Sequence, residues 1–138
     1  MLRTPCIVRG VNLGQATVEF ALTSVVFFLL VFGIMNFSLA VYSFNQVAYA
    51  AREGTRYASV RGATALSPAG ADDVARFVKG EAAGLNPGSL TVNTRWNPDN
   101  NPGSFVSVDV QYRFALVMPF MNLPQLSLES TSQLAITQ

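Results

Sequence analysis

The chain has 138 residues, half of them apolar and only 12% charged, with nine basic side chains against eight acidic ones. A mean hydropathy of +0.32 is too high for a soluble domain of this size unless the excess sits in one segment. There is no His and one Cys, Cys6, which excludes a Cys/His metal site, a Ser/His or Cys/His nucleophilic pair and an intrachain disulfide; the lack of any basic run excludes a phosphate-neutralising surface for nucleic acid.

In chain order, the first feature is Gly14-Gln15-Ala16-Thr17-Val18-Glu19-Phe20, which follows a short stretch holding Arg3, Cys6 and Arg9. A carboxylate at the head of an apolar helix costs free energy unless something compensates it. Three compensations are open to Glu19: the positive end of the helix dipole, Arg9 of the same chain, or a cation from another subunit. At an exposed site the dipole contributes only about 0.3–1 kcal/mol, enough to tolerate Glu19 but not to require it.

No charged residue occurs from position 20 to position 51, and residues 21–42 are almost continuously apolar. That length crosses a hydrocarbon core of about 30 Å as a helix, so a transmembrane segment is predicted over 21–42. A soluble domain this small could not surround a helix that is apolar on every face. A cleavable secretory signal is the rival, with Arg3 and Arg9 as its basic region and Ser38-Leu39-Ala40 as a small-x-small cleavage site. It would need an unusually long hydrophobic region with Glu19 at its head. Arg52, Arg56 and Arg61 beyond the span balance Arg3 and Arg9 before it, so charge does not orient the helix.

The helix is predicted to continue to about Val60. Ala50, Gly54, Ala58 and Gly62 fall four apart on one face, beside a row of Ala51, Thr55 and Ser59. Small residues at that spacing admit a close neighbour, either a helix of another subunit or the chain's own domain. Glu53 and Arg56 are expected to form a solvated surface pair. After a break at Ser67-Pro68-Ala69-Gly70, a short helix starts at Asp72 and Asp73, presents Val74, Phe77 and Val78, and ends at Gly84. Period-2 runs over 90–96, 106–114 and 126–136 then predict three antiparallel strands. The first two are joined by the turn cluster of residues 97–103, the last two by an apolar connection through Met118, Pro119, Phe120 and Pro124. The expected fold class is α+β.

The heptapeptide of residues 14–20 is similar to the Gly-x-x-x-x-Glu-Phe/Tyr processing site of prepilins, and residues 50–58 read Ala-Ala-Arg-Glu-Gly-Thr-Arg-Tyr-Ala. Together they resemble the TadE-like pseudopilins of tight-adherence (Flp) pilus assembly systems, a likeness that runs from the leader to the Ser/Thr-rich last strand. It implies a pilin-like α+β architecture with a leader at 1–14, an N-terminal helix at 15–62 and a small extracytoplasmic domain at 63–138. It implies cleavage between Gly14 and Gln15 by a prepilin peptidase of the bacterial inner membrane, with the N-terminus cytoplasmic and the domain periplasmic or extracellular. The new α-amine of Gln15 is implied to neutralise Glu19 of a neighbouring subunit, with Phe20 completing the assembly motif. Implied partners are the membrane, the peptidase, other pilin or pseudopilin subunits and the pilus assembly machinery, with no cofactor.

Two other classes of function are read beside this one. In an uncleaved single-span envelope tether or scaffold, Glu19 is only a helix-start residue. An envelope enzyme would draw on Asp72, Asp73, Asp99, Asp109 and Glu129, but the first three suit helix-start and turn positions, and the last two lie opposite the apolar rows of their strands, where solvation is simpler. The expectation is a protein without catalytic activity. Trp96 is expected to be a core or sheet-edge aromatic.

Overall fold

The computed structural model describes residues 13–116 and 124–137. Arg3, Cys6 and Arg9 of the expected leader and the connecting residues Met118, Pro119 and Phe120 lie outside the described residues. The expected α+β architecture is present: helix α1 (Leu13–Ser59), helix α2 (Ala71–Glu81), a 3-10 turn (Pro87–Ser89), and strands β1 (Leu90–Asn97), β2 (Phe105–Phe114) and β3 (Leu126–Ala135). The strands form one antiparallel sheet in the order β1-β2-β3.

The chain forms two compact units, the first ending at Met35 and the second running from Asn36. In the first, α1 is apolar on all sides. Its most apolar window has a mean hydropathy of 2.3 and none of it is buried. The core-helix reading fails on that exposure, since an uncovered apolar surface of this length is not stable in water.

In the second unit the sequence pattern explains the packing. Val106, Val108 and Val110 of the central strand are fully buried, as are Val74 and Val78 of α2 and Val47 of α1, each contributing about 1.5–3 kcal/mol of burial. Helix α2 is capped by Gly70, whose N–H donates to the Asp73 carboxylate at 3.2 Å, with Asp72 and Asp73 in the first turn and Lys79 in the last, as the dipole favours. It ends three residues before the expected Gly84: the Ala82 N–H makes the last helical bond, to Val78, and Gly84 at φ +75° then turns the chain.

Where α1 ends, its last carbonyls need donors from elsewhere. The N–H of Thr137, just past β3, supplies one to Ser59 at 2.9 Å. The β1–β2 connection contains a cis Asn97–Pro98 bond and Gly103 at φ +93°.

Candidate functional site

The residues expected to form the processing site lie in the first unit. Gly14 and Gln15 lie on α1, and both are exposed. A β-carbon at Gly14 would meet no atom within 4 Å, so the chain's own packing does not require glycine there. Gly14, Gln15, Val18, Glu19 and Leu22 line one shallow face. Phe20 points elsewhere, with Thr23, Ser24, Phe27 and Phe28, and is 74% exposed.

Glu19 is exposed on α1, six residues after Leu13, the first described residue. Among the described residues no cation is within ion-pair reach of Glu19. Its backbone carbonyl accepts from Thr23 Oγ1 at 2.9 Å.

The helix-packing residues lie in the second unit and are already occupied. Ala50, Gly54 and Ala58 are buried, as are Gly62 of the same row and Ala51, Thr55 and Ser59 of the row beside it. A β-carbon at Gly54 would collide with Val78 Cγ2 and lie 3.5 Å from Val108 Cγ1 and 3.8 Å from Val74 Cγ1. Gly54 therefore lets α1 approach both α2 and β2 closely. Of the two neighbours open to this groove, the structure seats the chain's own domain. Thr55 Oγ1 bonds to the Ala51 carbonyl at 2.7 Å and to the Ser132 carbonyl at 3.3 Å, tying the second row to β3.

The exposed half of the same segment forms a groove that the sequence did not single out. Tyr57 stacks on Phe77 with centroids 4.3 Å apart, and Arg61 lies 3.9 Å above the Tyr57 ring. Glu53, Arg56 and Val60 complete the groove, with Glu53 and Arg56 3.9 Å apart in the expected surface pair. The Tyr57-to-Arg61 spacing of one helical turn was the available signal; Phe77 comes from another helix and left none.

The acidic residues have local structural roles. Asp99 accepts from Ser104 Oγ at 2.5 Å and from the Asn101 side-chain and backbone N–H groups at 2.6 and 3.1 Å. These bonds, led by that of Ser104, hold its carboxyl below the ordinary value. Asp109 departs from the expectation of simple solvation: it is partly covered, accepts from Thr131 Oγ1 at 2.7 Å and faces Arg95 at 3.9 Å, because adjacent strands bring both partners to the outer face of the sheet. Glu129 is exposed. Trp96 packs against the core. Among the described residues, no group of three or more Cys, Asp or Glu side chains is placed to hold a metal ion.

A model of the family described as TadE-like protein matches residues 14–56. The chain carries a TadE-like segment. The match is to the family the motifs resemble and lies wholly within α1. It takes in Gly14, Gln15, Glu19, Phe20, Ala50 and Gly54 but stops before Ala58. No curated protein and no solved structure gives a match.

Proposed function

We propose that this protein is a minor pseudopilin of a tight-adherence (Flp) pilus: a single-span inner-membrane subunit, cut between Gly14 and Gln15 by a prepilin peptidase, with its domain on the extracytoplasmic side. The carrying observation is that the TadE-like segment begins at Gly14 and takes in the uncovered apolar stretch of α1, which has Glu19 near its start and no other charged residue until Arg52. Cleavage leaves an α-amine four residues before that carboxylate, a cation of the right sign at the right membrane depth for a neighbouring chain. The role is structural, with α1 as the assembling element, and needs no catalytic group.

Glu19→Gln tests this reading because it keeps the shape and removes the charge. The substituted chain should insert and be cut normally while surface pili are lost, since the Gln15 amine has no counter-charge. The assay replaces the native copy and measures protein size and pilus formation in one strain. Normal pili with normal processing would remove Glu19 from the mechanism; in an uncleaved tether, function would persist and no shortened form would appear.

A further inference from the structure

We propose that the groove where Phe77, Tyr57 and Arg61 stack is a docking site for an acidic peptide segment of a partner protein, with Arg61 taking the carboxylate and Val60 and Leu66 seating an adjoining apolar side chain. The site lies entirely within the second unit and stands whether or not the N-terminus is cut.

Arg61 is fixed before any partner arrives. Its N–H donates to the Ala58 carbonyl at 3.1 Å and its carbonyl accepts from the Ala69 N–H at 2.9 Å, so the backbone is held on both sides. Its guanidinium lies 3.9 Å from the centroid of the Tyr57 ring, which is itself stacked on Phe77 at 4.3 Å. Stacking engages the flat face of a guanidinium and leaves the N–H donors at its edge free to form a fork. Among the described residues those donors meet no acceptor, and no carboxylate is within ion-pair reach of Arg61. A cation already restrained by a ring loses little further freedom when it binds.

The lining selects among anions. Glu53 and Arg56 stand 3.9 Å apart in the same groove, so two arginines and one carboxylate leave a single net positive charge there. A phosphate group, with about −1.5 to −2 charge, would be repelled by Glu53, whereas one carboxylate matches one guanidinium fork. The remaining surface is apolar. The groove, about 400 Å³, adjoins a second of about 230 Å³, and the two share Val60 and Arg61. Val60 is 46% exposed, and Leu66, in the second groove, is wholly exposed. A restrained Arg flanked by an aromatic and by uncovered aliphatic side chains has the make-up of an interface anchor. It fits an Asp or Glu next to a Leu, Ile or Phe.

The test selects random peptides displayed on phage against the full chain in phosphatidylcholine nanodiscs, after depletion on nanodiscs without protein. Expected are peptides with an acidic residue beside a large apolar one. A recovered peptide, labelled with fluorescein, should bind the Arg61→Gln chain at least about tenfold more weakly, as the loss of a charge-assisted hydrogen bond requires, and should lose binding when its own acid is replaced by the amide. Val60→Trp fills the groove without altering its charge and should also abolish binding, which keeps the test independent of any folding defect in Arg61→Gln. Recovery of no peptide, or only of peptides without an acid, would overturn the proposal. Binding that survives both substitutions would overturn it too, as would displacement by inorganic phosphate as readily as by unlabelled peptide, which would mark a simple anion site.

Discussion

Gly54→Ala adds one methyl group at the point where α1, α2 and β2 meet. In an open helix interior this change is stabilising by about 1 kcal/mol, because alanine loses less backbone entropy. Here the new β-carbon would collide with Val78 Cγ2 and touch Val108 and Val74. Val78 and Val108 are fully buried, and a β-branched side chain on a helix has essentially one rotamer, so relief must come from a backbone shift. Overpacking of that kind costs about 1–3 kcal/mol, and the helix gain offsets about 1 kcal/mol of it. The net expectation is a loss of up to about 2 kcal/mol, centred on about 1 kcal/mol, or roughly a fivefold fall in the folding equilibrium constant. Gly80→Ala provides an internal control: a β-carbon there meets nothing within 4 Å, and the variant should gain about 0.5–1 kcal/mol. Equilibrium unfolding of the full chain in detergent micelles, followed by emission from its one tryptophan, Trp96, compares the two. If Gly54→Ala stabilised as much as Gly80→Ala, the groove would not be filled by the chain's own domain, and a neighbouring subunit would again be its natural occupant.

Gly14→Val should leave the fold unchanged, since nothing surrounds the site, yet block maturation by putting a β-branched side chain where the peptidase needs the smallest residue; immunoblots of membranes should show the full-length form accumulating, and normal processing would displace the cleavage site. Ser104→Ala removes the leading bond to Asp99 and should raise the Asp99 pKa toward its ordinary value in an NMR titration. Because the folded-state pKa of Asp99 is depressed, its contribution to stability is present above the unfolded value of about 3.9 and is lost as pH falls through the folded one, so Ser104→Ala should flatten acid unfolding below about pH 4. An unmoved pKa would show that Asn101 alone holds the carboxylate.

Much of the fold was legible because its signals are local. The three strands announce themselves by alternation, and Val106, Val108 and Val110 face the core as that pattern requires. The apolar run of α1 and the Asp72-Asp73 start of α2 are likewise local. The destination of the Ala50/Gly54/Ala58 groove was not, since small residues at one-turn spacing invite any close neighbour, and only the fold shows that Val78 and Val108 fill it. Asp109 was read as solvated because its strand places it opposite the apolar row; Thr131 and Arg95 come from the flanking strands, whose register the sequence does not state. The proposed processing site was legible only by resemblance to a known motif. Geometry adds that Gly14, Gln15 and Glu19 are all exposed on α1.

The central claim is that this chain matures by losing its first fourteen residues and then works as a membrane-held pilin-like subunit. Its most direct test is the intact mass of the protein recovered from membranes of a strain that carries the prepilin peptidase. A chain beginning at Gln15 is the predicted result. A chain beginning at Met1 would contradict it in favour of a tether, and one beginning near Val41 would contradict it in favour of a cleaved secretory signal.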